Sequence, residues 1–393
     1  MRAMCGPREP WSARHRKQLG SPPEIKRILI IRPDHLGDLL FATPALERLR
    51  LAFPGAHITG LVGPWARAMW EGNPSLNTLD TLPFSGITIT HHKRGLAPYT
   101  MLVSAAKRLA HKRYDLGIAL RYDHWWGAAL LWASTIPYRW GYDTPGMSTW
   151  LTHTAPYTPR RHEVEQDLYL AESIIQALAP PATQQKLGPL HIDRATGIPA
   201  LRPPAASPPP ETLLSDWLRA PRRAIIHPGT AGANKLWTMT GWAEVARQLT
   251  REGWSVALTG SPDERPLTDA IAATFEPDPH HNTPLYNIAG QTANIAQLVW
   301  LLDKAHIVLG VDSGPLHIAD ALGKPTLHLY GPSDEQIWGP WGDSNKHRAF
   351  RAPNTQPTGQ LLVGASNLEG GPEMQAITPD MVMREARALI RET

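Results

Sequence analysis

The chain has 393 residues, of which 42% are hydrophobic and 19% are charged, and its net charge is +4. This length exceeds one ordinary hydrophobic core, so we expect two domains of roughly 150 to 200 residues each. A membrane-spanning helix needs about 18 consecutive apolar residues, and no apolar run in the sequence is that long. The single cysteine, Cys5, excludes a disulfide framework and a thiolate metal site, which favours a reducing cytoplasm.

The positive charge is concentrated in the first half of the chain. Up to residue 196 there are 23 Lys or Arg against 15 Asp or Glu, whereas the remainder has 16 against 20. A basic half predicts an anionic partner, such as a membrane surface or a phosphorylated acceptor. The basic residues are scattered among Trp and Pro without a nucleic-acid-binding module, so we expect no nucleic-acid partner. Residues 1–22 are basic without an apolar core and predict a disordered arm.

Strand and helix patterns alternate between residues 23 and 190, which we interpret as the first domain. Apolar strand patterns occur at residues 26–32, 57–62, 78–83 and 116–120. Helical periodicity occurs at residues 36–53, 64–71, 99–112, 125–133 and 162–178. This alternation is typical of a doubly wound parallel sheet.

A proline-rich stretch follows, and residues 191–220 are predicted to be the connection between domains. Prolines disfavour a helix interior or a central strand, and they recur at Pro180, Pro181, Pro203, Pro204, Pro208, Pro209 and Pro210. The pattern then restarts in residues 221–376, with strands at 224–226, 255–259, 307–311 and 326–330 and helices near 241–251, 267–274 and 295–304. We expect the last segment, residues 377–393, to be a helix that packs back toward the N-terminal domain.

The apolar strand at residues 307–311 leads into the turn Asp312-Ser313-Gly314-Pro315. Pro315 suits the first turn of a helix, and a helix start attracts phosphate through its free N–H groups and dipole. This turn therefore predicts a site for a nucleotide-linked substrate. The alternative is that Asp312 and Ser313 only cap the helix.

Two more strand ends in the second domain carry polar, glycine-bearing turns. One runs from His227 to Thr230 and on to Lys235, and the other from Thr259 to Glu264. The carboxyl ends of parallel strands meet at a ligand crevice. We expect Lys235 to neutralise a diphosphate and Glu264 to accept hydrogen bonds from a ribose. Alternatively, Lys235 is a solvated surface residue, and Glu264 is an acid in the first helical turn that interacts favourably with the helix dipole.

In the first domain a polar loop follows the first strand. It contains Asp34, His35, Gly37 and Asp38. Asp38 is predicted to be a general base that takes a proton from an attacking hydroxyl, and Gly37 lets a substrate come close. Alternatively, Asp38 caps the helix and His35 is an ordinary loop residue.

Missing motifs narrow the class of enzyme. The dinucleotide, P-loop, serine-hydrolase and zinc-protease signatures are all absent from the sequence. His280 and His281 lie beside Asp278, but in a proline-containing loop, so we predict no metal site.

Five separated motifs resemble, in order, those of the glycosyltransferase family 9 enzymes, which include ADP-heptose:lipopolysaccharide heptosyltransferases. They are ILIIRPDHLGDLLFATPALERLRLAFPGAHITGLV, IIHPGTAGANKLW, ALTGSPDE, NIAGQT and VLGVDSGPLHIADALGKPTLHLYGPSDEQIWGP. The resemblance implies a GT-B fold, α/β, with two Rossmann-like domains whose parallel sheets face each other across a cleft. The first domain would bind the acceptor and the second the nucleotide-sugar.

The resemblance also implies roles for individual residues. Asp38 matches the family's proposed base, Lys235 its phosphate-contacting lysine, Glu264 its ribose-contacting acid and Asp312 its sugar-contacting acid. The remaining donor-side positions are Thr230, Ser313, Gly314, Pro315 and His317, and the acceptor-side positions are Asp34, His35 and Gly37. The loop PDHLGD departs from the Ser-rich loop of the core heptosyltransferases and leaves the acceptor open.

The resemblance further implies an inverting, metal-independent glycosyltransferase without a cofactor. The expected donor is ADP-heptose or a similar nucleotide-sugar, and the expected acceptor is lipopolysaccharide or another glycolipid at the anionic inner face of the inner membrane. Two alternatives remain open at this point: a non-catalytic nucleotide-sugar-binding protein of envelope assembly, and a sugar-nucleotide epimerase of related fold.

Overall fold

The computed structural model describes residues 24–84, 97–210, 215–277, 283–359 and 370–392. Within these ranges the chain forms two parallel six-stranded sheets. Counted along its own half of the chain, each sheet has the strand order 3-2-1-4-5-6, so the same architecture occurs twice. The predicted N-terminal arm and the pair His280 and His281 lie outside the described residues.

The first sheet is built around a central strand, β1 (Arg27–Arg32), whose four inner residues are apolar and buried. Its strands are β1 (Arg27–Arg32), β2 (His57–Val62), β3 (Thr78–Thr81), β4 (Leu116–Ala119), β5 (Tyr138–Tyr142) and β6 (His153–Ala155). The helices of this half are α1 (Leu36–Phe41), α2 (Thr43–Ala52), α3 (Ala97–Ala110), α4 (Trp125–Ala133) and α5 (Glu163–Leu178), with 3-10 helices at Pro64–Met69 and Ser148–Trp150. β1 pairs in parallel with β2 and β4, which places its carboxyl end at the point where the strand order reverses.

The second sheet repeats this plan. Its strands are β7 (Arg223–His227), β8 (Ser255–Leu258), β9 (Leu285–Asn287), β10 (Ile307–Val311), β11 (Thr326–Tyr330) and β12 (His347–Arg351). Helices α6 (Pro181–Leu187) and α7 (Ser215–Arg219) precede the sheet; α8 (Met239–Arg251), α9 (Arg265–Thr274), α10 (Ile295–Lys304), α11 (Gly314–Ala321), α12 (Glu335–Trp338), α13 (Pro372–Gln375) and α14 (Pro379–Glu392) follow or flank its strands. The central strands β7 and β10 are paired in parallel, so their carboxyl ends form the second reversal point.

The proline-rich connection contains more helix than its composition indicated. α6 begins at Pro181, and α7 lies inside the predicted connection at residues 191–220. A proline in the first helical turn costs nothing because its missing N–H would have had no partner there. Proline content therefore excluded helix interiors but did not exclude a helix start.

The C-terminal helix α14 packs on the second domain, contrary to our expectation that it would return to the first. It contacts α8 and β11. Val382, Met383 and Leu389 enter the core of the second domain. The Arg387 guanidinium also pairs with Glu252 at 2.6 Å. An apolar helix face predicts that the helix is packed, but the sequence did not say against which domain.

The two domains meet where the first turns of α1 and α11 touch. A Cβ on Gly314 would lie 2.8 Å from the Cβ of Leu36, so these two helix starts approach as closely as glycine allows. Nearby, His162 Nε2 lies 2.9 Å from the carbonyl oxygen of Gly339, across the same interface. The loop after β1 therefore faces the loop after β10 directly.

Candidate active site

The loops after β7 and β10 bring Lys235 and Asp312 together. Lys235 Nζ lies 2.7 Å from Asp312 Oδ2. Thr230 supports this pair, because its hydroxyl donates a hydrogen bond of 3.1 Å to the Asp312 carbonyl oxygen. Burial opposes ionisation, but Lys235 and His317 hold the pKa of Asp312 well below its ordinary value. Two residues 77 positions apart thus form one charged group at the reversal point of the second sheet.

His317 lies one turn into α11 and contacts two carboxylates. Its Nε2 is 3.3 Å from Asp312 Oδ1, and its Nδ1 is 3.3 Å from Asp320 Oδ2. Burial alone would lower the pKa of His317, but the hydrogen bonds to Asp312 and Asp320 raise it to about 9. The imidazole is therefore charged at neutral pH.

The start of α11 has an available hydroxyl. Ser313 occupies the N-cap position, yet its side chain accepts no capping hydrogen bond from the helix. Its Oγ is buried without a hydrogen-bond partner among the described residues. Pro315 lies in the first turn, as predicted. The start of α11 is thus not closed by the Ser313 side chain, and it points into the space between the domains.

Glu264 lies beside the loop that follows β7. Its Oε2 accepts a 2.7 Å hydrogen bond from the Ser261 backbone N–H, a capping role that the sequence analysis did not consider. The carboxylate also covers Gly229, because a Cβ there would lie 2.0 Å from Oε1. One carboxylate oxygen is thus engaged in capping, while the other faces the crevice where β7 and β8 end.

Asp34 does not project from the acceptor-side loop. It is buried, and its carboxylate pairs with Arg32 at 2.7 Å and with Arg121. Although burial opposes it, the two arginines lower the pKa of Asp34. The neighbouring His35 is exposed. The polar loop therefore presents His35 outward and turns Asp34 inward.

Asp38 lies in the first turn of α1 and is only partly exposed. None of the described residues donates a hydrogen bond to its carboxylate. Burial, and then the charge of Asp34, raise the pKa of Asp38 above its ordinary value. Its neighbour Gly37 approaches the other domain, because a Cβ at this position would lie 3.2 Å from the His317 ring. Asp38 is therefore an uncommitted carboxylate in the turn of α1 that meets α11.

Sequence reasoning missed the buried charges beneath Asp38. The Arg32 guanidinium pairs with Asp34, with Glu163 at 2.8 Å and with Asp167 at 2.9 Å. Burial raises the pKa of Asp167 to about 8, against the effect of Arg32. The signal was the spacing of Glu163 and Asp167, which puts two acids four residues apart on the buried face of α5.

A second network that the sequence did not reveal lies behind His317. Asp320 Oδ1 accepts from Thr326 Oγ1 at 2.5 Å and lies 3.0 Å from His328 Nε2 and 3.3 Å from His347 Nδ1. Histidine and aspartate are also metal-ligand types, but here their atoms bond one another. The absence of a metal site stays a prediction.

Comparison with known families decides the class of this protein. The family model described as "Glycosyltransferase family 9 (heptosyltransferase)" matches residues 102–360, more than half of the chain. The chain belongs to glycosyltransferase family 9. It is therefore a glycosyltransferase, as the five motifs indicated.

Relatives of this family 9 glycosyltransferase share its length and fold. It is 25% identical to lipopolysaccharide heptosyltransferase 2 of Salmonella typhimurium, over 93% of its own length and 99% of the relative. It is 27% identical to lipopolysaccharide heptosyltransferase 3 of Escherichia coli K12, over 78% and 83%. The solved structure of E. coli ADP-heptose lipopolysaccharide heptosyltransferase II superposes with a TM-score of 0.68 at 22% identity, covering 93% of this chain and 99% of that one. This likeness confirms the predicted GT-B fold.

Proposed function

We propose that this glycosyltransferase transfers a heptose, or a related sugar, from an ADP-sugar to the lipopolysaccharide core or another glycolipid. One observation carries the proposal: the uncommitted Asp38 on the first domain follows Gly37, which meets the His317 ring of the second domain, and His317 in turn contacts the Asp312 of the Lys235–Asp312 pair. A base and a cationic diphosphate site on opposite walls are what transfer between two bound substrates requires. The names of the two lipopolysaccharide heptosyltransferase relatives support the choice of sugar and acceptor.

The proposed reaction is a direct displacement with inversion at the anomeric carbon. Asp38 takes the proton of an acceptor hydroxyl as that oxygen bonds to the anomeric carbon. The bond from this carbon to the diphosphate oxygen breaks, and ADP leaves with the electron pair. Lys235 and the N–H groups at the start of α11 stabilise the negative charge on the departing diphosphate, which is the charge-stabilising role in a metal-independent transfer.

The remaining donor-side groups have complementary roles in this proposal. The free Ser313 hydroxyl donates to a phosphate oxygen. The Glu264 oxygen that faces Gly229 accepts from a ribose hydroxyl, while its other oxygen keeps the loop closed through Ser261. Asp312, held by Lys235 and His317, accepts from hydroxyls of the transferred sugar. No cofactor enters this scheme.

We further propose that the enzyme works on the inner face of the inner membrane. No helix in the described part of the chain is long and apolar enough to cross a bilayer. The outer side of α3 combines Lys107 and Arg108 with the exposed Tyr99 and Val103. Basic side chains next to exposed aromatic and apolar groups suit an anionic membrane surface, where the glycolipid acceptor would be found.

A turnover assay tests the proposal. Purified protein with ADP-heptose and an envelope glycolipid fraction is expected to release ADP and to increase the glycolipid mass by one heptose. A new free sugar-nucleotide formed without acceptor would instead show an epimerase. ADP-heptose that raises the melting temperature without any turnover would show a binding protein, because a ligand of the native state alone stabilises it.

Replacing Lys235 with methionine is expected to weaken ADP binding by about 10- to 100-fold. Hydrogen bonds to charged groups contribute about 1.5–3 kcal/mol, and the variant also leaves Asp312 with less positive charge beside it. Lys324→Met is the control, because Lys324 pairs at 3.2 Å with Asp303 at the opposite end of the sheet. Calorimetry that finds both variants equal to wild type would remove Lys235 from the diphosphate site.

A further inference from the structure

Asp320 is a buried carboxylate that no step of the proposed reaction uses. It is 4% exposed and lies one turn after His317 on the same face of α11. Its Oδ2 faces His317 Nδ1, while its Oδ1 meets Thr326 and His328 on β11 and His347 on β12. A carboxylate held from two strands is fixed in place, so it fixes the His317 ring as well.

The two oxygens of Asp312 each face a different cation. Lys235 Nζ lies 2.7 Å from Oδ2, and His317 Nε2 lies 3.3 Å from Oδ1. A diphosphate that binds Lys235 competes with Asp312 for this lysine. If His317 is charged, Asp312 keeps a cationic partner while Lys235 turns to the phosphate. If His317 is neutral, one lysine must serve both anions.

We propose that Asp320 is a positioning residue for donor binding: through His317 it holds the Asp312 carboxylate and keeps a second cation in the site, so that Lys235 is free for the donor diphosphate. The role rests on the proposed function. Asp320 itself touches no substrate in this arrangement.

The surroundings of His317 leave Asp312 and Asp320 as its ionised partners. On the β11 side its ring centroid lies 5.1 Å from that of His328, and on the α1 side it lies 4.7 Å from Phe41. His162, at the start of α5, also contacts Phe41, and burial lowers the pKa of His162 well below its ordinary value. Burial likewise lowers the pKa of His347. These neighbours give no charge that replaces Asp320.

The titration of His317 agrees with this geometry. Against burial, the two carboxylates raise its pKa from 6.5 to about 9. A raised pKa stabilises the folded state fully below the unfolded value of 6.5, and this contribution is lost as the pH rises through about 9. Wild-type enzyme therefore keeps the His317 cation across the neutral range.

The test compares ADP affinity of Asp320→Asn and wild type between pH 6 and 8. The ratio of the two dissociation constants cancels the titration of ADP itself. Without Asp320, His317 should lose its proton near its ordinary pKa, so the variant should bind ADP within about threefold of wild type at pH 6 and about tenfold more weakly at pH 8. A ratio that does not change with pH would overturn the proposal.

Two further variants separate positioning from loss of structure. Thr326→Val removes one hydrogen bond of Asp320 but keeps its charge, so it should lower stability without making the ratio pH-dependent. His317→Gln cannot be charged, so it should weaken ADP binding by about tenfold with no pH dependence relative to wild type. Equal behaviour of Thr326→Val and Asp320→Asn would show a structural role only.

If Asp320→Asn does not fold, the protonation state of His317 can be measured directly in the wild-type protein. In wild-type protein with labelled histidine, the His317 resonance, assigned through His317→Gln, should remain that of an imidazolium up to pH 8. A neutral His317 at pH 7 would contradict the proposal even if ADP binds and transfer occurs.

Failure of ADP to bind the wild type at all would instead refute the proposed function. A stoichiometric metal in the purified protein that is lost in Asp320→Asn would replace the hydrogen-bonded network with a metal site.

Discussion

Replacing Asp38 with asparagine is expected to lower the rate of sugar transfer by about 10²- to 10⁴-fold, the usual contribution of general base catalysis. The amide keeps the shape of the carboxylate but cannot take the proton of the acceptor hydroxyl. ADP binding should stay within about twofold of wild type, because Lys235 and Glu264 belong to the other domain and contribute most of the donor contacts. Loss of turnover with retained ADP affinity is the result that identifies a base.

The pH dependence of transfer gives a second readout for Asp38. Burial, followed by the charge of Asp34, raises its pKa, so the base becomes protonated at a higher pH than an ordinary aspartate. Transfer by the wild type should therefore fall as the pH drops through this raised pKa. The residual activity of Asp38→Asn should lack this acid limb.

The matched control for Asp38 is Asp80→Asn. Asp80 is on the edge strand β3 and pairs with Lys112 at the surface, away from the contact between α1 and α11. The Asp80→Asn enzyme should transfer sugar at the wild-type rate. An Asp38→Asn enzyme that keeps more than about a tenth of wild-type turnover would be incompatible with general base catalysis of the usual size.

The sequence predicted that the polar loops after β7 and β10 converge, because the polar residues of each loop follow their own strand closely. Asp312, Ser313 and Pro315 follow an apolar strand within four residues, and Lys235 lies eight residues beyond the end of β7. The rule that parallel strands end at one crevice then brought the loops together. The 2.7 Å contact between Lys235 and Asp312 agrees with that prediction.

The buried charges could not be predicted in this way, because their partners come from distant elements. Arg32 ends β1, whereas Glu163 and Asp167 belong to α5, more than 130 residues later. Asp320 meets His328 and His347 only after β11 and β12 pair. Composition and periodicity report burial and helix faces, but they do not report which charges share a buried space.

Strands β5 and β6 were missed in the sequence for a different reason. β6 has three residues, too few for a period-2 pattern, and β5 has the sequence YRWGY, whose aromatic residues fit a strand or a turn equally well. Their existence follows from the sheet, because each continues a parallel ladder that begins at β4. These strands complete the sheet but contribute no predicted site residue.

Replacing Arg32 with methionine is expected to lower the free energy of unfolding by about 3–5 kcal/mol, the cost of removing one partner from a buried ion pair. Three carboxylates contact this guanidinium, and the Arg32 side chain is only 2% exposed. Arg121 still faces Asp34 in the variant, but Glu163 and Asp167 lose their cation. Arg32→Lys should recover part of the loss, because lysine restores the positive charge but cannot pair with all three carboxylates as the planar guanidinium does.

The loss in Arg32→Met should depend on pH in a defined direction. Arg32 opposes the effect of burial on Asp167, whose pKa is already about 8 in the presence of this arginine. Without Arg32 the carboxyls bind protons more readily, so the folded variant takes up more protons than folded wild type. A lower pH therefore stabilises the folded variant more than it stabilises folded wild type. The difference between their free energies of unfolding should shrink as the pH falls from 8 to 5.

Chemical denaturation followed by tryptophan fluorescence measures this difference at each pH. The control is Arg67→Met, because Arg67 forms an exposed i,i+4 pair with Glu71 whose loss should cost about 0.5 kcal/mol or less. A loss below about 1 kcal/mol in Arg32→Met that does not change with pH would show that the carboxyls are already neutral around Arg32, and a loss that grows toward acid pH would contradict the expected direction. Since Arg32 also lowers the pKa of Asp38, against the raising effect of burial, the folded variant should shift the acid limb of transfer to higher pH as well, which links the buried charges to the proposed base.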